Sequence, residues 1–236
     1  MADLIIAYEL SHNLERLDSL PEDPMDRKFG EAEDYDALIY KATEPKDVPW
    51  GGTLSTIPYP GPEPIDFVGF LDRLPHQTDF LSTNDSDSDP IISRRMLYVL
   101  RSVGEFPHKA ISTRIYDYGF QNQGRDNFDG QTALPAGEFN EDYVSLQLLE
   151  HVDGIDPESC EYEDDYPGVY PPSLISWQMK EPISGFPPVF RLNKAGVRVR
   201  LFVSVAAKEA LEEAGIKGLR FFRKKGTRAQ EASTAC

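Results

Sequence analysis

Two stretches of this chain carry the same punctuation: PIISRRMLYVLRSVG at residues 90–104 and RLFVSVAAKEALEEAG at residues 200–215. In each, an apolar run ends on a serine, Ser93 or Ser204. A leucine follows seven residues later (Leu100, Leu211) and a glycine four after that (Gly104, Gly215), before a second strand-like run begins. Serine at that position accepts a hydrogen bond from a first-turn amide and starts a helix. Glycine tolerates the left-handed conformation that ends one, and Gly215 is placed to adopt it. Between Ser204 and Gly215, residues Ala207, Ala210, Leu211 and Ala214 fall on one helical face, and Lys208 and Glu212 sit four apart on the other. Upstream, Val197, Val199, Leu201 and Val203 alternate with Arg198, Arg200 and Phe202, a period of two that predicts a strand. A strand–helix–strand unit that occurs twice constrains the fold strongly. The expected class is α+β, with mixed or antiparallel sheets, short packed helices and two related strand–helix–strand lobes. The same punctuation makes Ser204 a cap rather than a nucleophile, because the G-x-S-x-G turn that would expose a catalytic serine is missing.

The other elements follow from local pattern. Residues 3–10, 35–43, 109–116, 173–182 and 187–192 read as strands, 143–152 fits either a strand or a helix with the balance toward strand, and 65–74 reads as a short helix with Phe67, Phe70, Leu71 and Leu74 at helical spacing. Pro- and Gly-dense residues 49–64 and the polar 84–90 and 119–142 read as loops. The expected organisation is an N-terminal strand- and loop-rich region (1–75) packed on a main α+β domain (76–222), followed by a flexible basic tail (223–236).

The chain opens MADLIIAYELSHN, without a basic leader, and no segment approaches the ~20 apolar residues of a membrane span. Two cysteines, Cys160 and Cys236, argue against a disulfide framework. The expectation is a cytoplasmic protein that does not engage membrane. Net charge is −16, and it is uneven: residues 121–175 hold 13 acids and 1 base, residues 176–236 hold 5 acids and 12 bases. Such a surface repels nucleic acid and favours a basic protein partner.

Few patterns carry chemistry. His12, His76, His108 and His151 are scattered with no metal-ligand spacing, so neither metal nor cofactor is expected. DSDSD at 85–89 imitates a calcium loop, but Pro90 and Met96 stand where that loop needs Gly and Glu, and a solvated loop is expected. Arg94 and Arg95 could pair with Asp87 or Asp89. The segment DPESCEYEDDYPGVYPP is the candidate binding surface. There Asp156, Glu158, Glu161, Glu163, Asp164 and Asp165 interleave with Tyr162, Tyr166 and Tyr170. Carboxylates steer and bind Arg and Lys, and tyrosines give contact area at low entropic cost. The basic Arg223, Lys224, Lys225 and Arg228 read as a solvated tail.

FPPVFRL followed by LFVSVAAKEALEEAGIKGLRFF resembles the C-terminal signature of a family of bacterial immunity proteins that accompany polymorphic toxins, including type VI secretion effectors. DFL…PIISRRMLYVLRS and YVSLQLLEHVDGID…SCEY are similar to other parts of that family, so the resemblance spans roughly residues 78–222. It implies a non-catalytic protein that binds a cognate toxin domain and occludes its active site. Its motifs are packing motifs and carry over no toxin-contacting residue. The rival expectation is a carboxylate-dependent hydrolase built on Glu150, His151, Asp153 and Asp156; an acidic interaction module for another basic partner is a third.

Overall fold

The computed structural model describes residues 4–12, 39–41, 56–69, 78–81, 89–117, 139–163, 173–194 and 197–228. The first strands are β1 (Leu4–His12), β2 (Ile39–Lys41), β3 (Ile65–Gly69), β4 (Phe80–Leu81) and β5 (Ile91–Ser93). Helix α1 (Arg94–Val103) leads to β6 (His108–Asp117), β7 (Phe139–Asn140) and β8 (Tyr143–Leu148). A 3-10 turn, Pro157–Ser159, precedes β9 (Glu161–Glu163), β10 (Ser173–Ser176), β11 (Met179–Glu181), β12 (Val189–Phe190) and β13 (Leu201–Ser204). Helix α2 (Val205–Glu213) and β14 (Leu219–Arg228) follow. This is the expected α+β class: among the described residues, mixed sheets with two short helices.

One sheet has the order β2-β3-β6-β8-β5-β4, with β7 also on β6, and the second has the order β11-β14-β1-β13-β12. The two repeated units lie in different sheets and are built alike. In each, the strands flanking the helix are separated by one antiparallel strand from elsewhere in the chain: β8 between β5 and β6, and β1 between β13 and β14. Outside them, a two-residue strand pairs antiparallel with the first (β4 on β5, β12 on β13) and a parallel strand pairs with the far end of the last (β3 on β6, β11 on β14). Five strands in each sheet therefore match in order and direction. The units differ in where the inserted strand comes from. In the first it follows the unit, whereas in the second it is the N-terminal strand. Glu9 of β1 is held between Lys224 of β14, at 2.5 Å, and Arg200, at 3.2 Å.

Both serines cap as the repeat predicts. Met96 N–H donates to Ser93 Oγ at 3.0 Å and Ala207 N–H to Ser204 Oγ at 3.2 Å. The helix ends differ. Gly215 is left-handed (φ 64), and the amides of Gly215 and Ile216 donate to Glu212 and Leu211 carbonyls, a Schellman closure. Gly104 is extended (φ 168) and makes no such turn. Ser204→Ala should lower stability by about 1 kcal/mol, read as a shifted urea midpoint at unchanged slope. Ser93→Ala should cost more, because its hydroxyl also donates to buried Asp79 at 2.5 Å.

One apolar cluster joins both helices (Met96, Leu100, Ala207, Leu211) to one face of each sheet (Val144 and Leu146; Leu201 and Val203). The opposite face of each sheet has its own cluster, around Ile91, Ile111 and Tyr143 in one and Phe190, Phe202 and Met179 in the other. The lobes interlock through chain entry points. Asp79, just before β4, accepts from Lys217 N–H at 2.9 Å in the α2–β14 turn, and its own N–H donates to the Lys217 carbonyl at 3.0 Å.

Four expectations are corrected. Residues 65–69 form a strand, not a helix: Ile65 and Phe67 face the core, while Asp66 pairs across to Arg114 at 2.7 Å. Residues 197–200 form a turn, not the start of a strand, because buried Arg191 draws the carbonyls of Val199 (2.6 Å) and Arg198 (3.3 Å) to its guanidinium. Residues 223–228 belong to β14 and pair with β1 and β11, so the expected tail is structured to Arg228. A boundary at residue 75 separates no structural units, since β1 lies inside the sheet formed by residues 179–228.

Candidate functional site

The acidic, tyrosine-bearing segment is partly consumed by its own folding. Asp156 caps the 3-10 turn, accepting from Glu158 N–H at 3.2 Å, and its carbonyl accepts from Ser159 Oγ at 2.8 Å. Ser159 Oγ in turn accepts from Gln178 N–H at 2.8 Å. The turn leads into an antiparallel pair, β9 with β10, in which Glu163 lies opposite Ser173. Leu174 and Trp177 anchor this hairpin on the Phe202 cluster, Trp177 edge-on to Phe202 with ring centres 6.1 Å apart. Glu158, Glu161 and Tyr162 remain on the surface, with the Lys194 ammonium 5.5 Å from the Tyr162 ring centre. The side chain of Glu163 and all of Asp164, Asp165, Tyr166 and Tyr170 lie outside the described residues. Of the expected surface, Glu158, Glu161 and Tyr162 are exposed, and Asp156 also caps its own turn.

Ten residues upstream the chain borders a groove of about 830 Å³ between the two lobes. One wall is the stretch after α1, Gly104–Pro107. A second is Glu150–Asp153, and the third runs from Glu181 to Pro188, with Ser204–Ala206 at the start of α2 closing the end. Its described lining holds four carboxylates (Glu105, Glu150, Asp153 and Glu181) and no Lys or Arg. Phe106 and Phe186 provide apolar surface. Phe186 lies flat on Phe190, with centres 4.5 Å apart and planes 2° from parallel. Gly154 allows that approach, because a Cβ there would stand 2.8 Å from the Phe186 ring.

Three of the four residues named for a hydrolase, Glu150, His151 and Asp153, do line this groove. His151 Nε2 is buried with no hydrogen-bond partner among the described residues. Burial, then the charges of Arg198 and Arg191, push its pKa down, so it is neutral at pH 7. Ser204 accepts from Ala207 N–H, and among the described residues no imidazole or carboxylate is bonded to it. Asp156, the fourth, is committed to its turn. Among the described residues no three His, Cys, Asp or Glu side chains converge as metal ligands, and no helix is long and apolar enough to cross a membrane.

The titration of His151 gives a prediction. The folded state binds fewer protons at this site than the unfolded chain, so stability is full above the unfolded pKa of about 6.5 and falls as pH drops below it towards the lowered folded value. The urea midpoint should therefore fall between about pH 7.5 and 5.5, and His151→Gln should flatten that part of the profile. An unchanged slope in the variant would place the titration elsewhere.

Behind His151 sits a buried charged group that sequence did not single out. Arg191 is 3% and Asp89 2% exposed; burial pushes the Arg191 pKa down from its usual value, and the charge of Asp89 opposes that. Asp89 thus departs from the solvated loop expected of DSDSD; residues 82–88 lie outside the described set. Asp87, one of the partners expected for Arg94 and Arg95, lies outside the described residues. Arg94 Nε donates to the Glu141 carbonyl at 2.9 Å, and Arg95 reaches Asp79 and the Ala214 carbonyl. Neither a known family model nor a curated protein matches this sequence.

Proposed function

We propose that this is an immunity protein that binds a cognate, basic toxin domain in the cytoplasm and neutralises it stoichiometrically by covering its active site. The observation that carries the reading is the acidic surface running from the groove to the β9–β10 hairpin. Glu150, Asp153, Glu158 and Glu161 are all exposed along one short stretch of a chain with net charge −16. Carboxylates so arranged attract a cationic partner from a distance and pair with Arg and Lys on contact. Tyr162, 48% exposed, adds an aromatic anchor beside them. The resemblance of residues 78–222 to immunity proteins, read from the sequence, points the same way.

The experiment is protection. Coexpression with the toxin domain encoded beside its gene should restore growth, and the purified pair should inhibit at one copy per toxin. Reversing charge at Glu161, Glu163, Asp164 and Asp165 should slow association by about tenfold or more at low salt and flatten its salt dependence. Unchanged affinity and salt dependence would remove this surface from the interface. Multiple turnovers on a small substrate, lost on replacing Glu150 or Asp153, would instead establish the hydrolase.

A further inference from the structure

The groove is the counterpart, in the second lobe, of a junction that the first lobe fills with its own side chain. Counting from the cap serines, Ser204 corresponds to Ser93, Glu105 to Ile216 and Phe106 to Lys217. The strand entries correspond as well: Ser93 N–H donates to the Asp79 carbonyl at 2.8 Å, and Ser204 N–H to the Pro188 carbonyl at 3.2 Å. In the first junction the Asp79 carboxylate takes the Ser93 hydroxyl and the Lys217 amide, and the Asp79 amide takes the Lys217 carbonyl. Proline at 188 has neither a carboxylate nor an N–H. The Phe106 carbonyl is bonded instead by His108 Nδ1 at 2.8 Å. The Phe106 amide and the Ser204 hydroxyl hydrogen have no acceptor among the described residues. Both residues line the groove.

We infer that this groove receives an extended, arginine- or lysine-bearing segment of the partner protein, with a backbone carbonyl standing where the Asp79 carboxylate stands in the other lobe. The donors call for an acceptor. The rim of Glu105, Glu150, Asp153 and Glu181, with no cation in the described lining, excludes an anionic one, since a carboxylate ligand would meet four like charges. A peptide carbonyl is a neutral acceptor, and cationic side chains on either side of it would reach the rim. Phe186 and Pro188 offer apolar surface to their methylene stems. The inference rests on the immunity reading only for the identity of the partner; the chemistry of the occupant follows from the groove.

The probe is an acetylated, amidated tetra-arginine peptide, with tetra-glutamate as its counterpart, titrated into the isotope-labelled full chain. Tetra-arginine should move the amide resonances of Glu105 and Phe106 and those at the start of α2. Glu105→Gln, Glu150→Gln and Asp153→Asn together should weaken it about tenfold or more, whereas Glu158→Gln with Glu161→Gln should change it less than about twofold. Ser184→Trp, an exposed position at the mouth, should block it without altering charge. Unfolding midpoints of the variants near that of the parent chain keep the comparison fair. Shifts spread evenly over all acidic surface, or equal loss from both variant sets, would overturn the inference, as would binding of tetra-glutamate. Loss of self-association in Ser184→Trp with peptide binding unchanged would also overturn it and assign the groove to a second copy. The two readings fail separately. If the groove variants spare toxin affinity while the hairpin variants abolish it, the groove inference falls and immunity stands. If the peptide binds as described but no toxin is engaged, immunity falls and the groove inference stands.

Discussion

Replacing Asp79 by alanine should cost about 3 kcal/mol and lower the melting temperature by about 6–12 °C. The carboxylate is buried and serves two lobes at once. Oδ1 accepts the Ser93 hydroxyl at 2.5 Å, and Oδ2 accepts the Lys217 amide at 2.9 Å with Arg95 at 3.8 Å. Removing it leaves a buried hydroxyl and a part-buried amide without acceptors, each worth about 1–3 kcal/mol. Asp79→Asn retains an acceptor on one side only and should fall between. Gly218→Ala tests the same junction by another route. Gly218 has φ +81, and a Cβ there would meet Thr78 Oγ1 far inside contact distance. It should destabilise by a comparable amount. Chemical unfolding that moves by less than about 0.5 kcal/mol in both variants would mean that this junction does not hold the lobes together.

Phe202→Ala should remove about 3–5 kcal/mol. Phe202 is fully buried, lies against Phe190 with ring centres 5.7 Å apart, and meets Trp177 edge-on. It is the middle of β13, so its loss leaves a cavity under the sheet that carries the hairpin. Phe202→Leu should cost markedly less, because more of the volume is retained. The two effects separate in tryptophan fluorescence: Trp177 should report Phe202→Ala in the folded state, whereas Asp79→Ala acts mainly on the midpoint. A Phe202→Ala loss under about 1 kcal/mol would remove this cluster from the core.

The repeat was legible because capping and helix termination are local. Ser93, Leu100, Ser204, Leu211 and Gly215 do the jobs that their spacing announces. Strand partners are not local. Nothing in LIIAYEL says that it inserts between β13 and β14, and the ion pair of Glu9 with Arg200 spans 191 residues. Nothing local marks Asp79 and Arg191 as buried, because burial of an ionised group is decided by partners elsewhere in the chain. Over residues 65–69 the expected 65–74 helix gives way to a strand for a related reason: Ile65 and Phe67 satisfy a period of two, and pairing with β6 decided the matter, while residues 70–74 lie outside the described residues. At the candidate site, the exposed Glu158, Glu161 and Tyr162 could be read from composition. The groove could not, because its walls come from four separated segments.

The insertion of β1 into the last unit also sets an order of events during synthesis. β1 leaves the ribosome before the other described strands, and both of its neighbours, β13 and β14, leave after them. At typical translation rates that interval is about 10–40 s. Throughout it the nascent chain carries an apolar strand with neither native edge in reach, while β5, α1, β6 and β8 can already assemble. A message truncated before residue 201 would release a polypeptide without either neighbour of β1 and without the α2 half of the shared core, a natural substrate for holding chaperones and proteases.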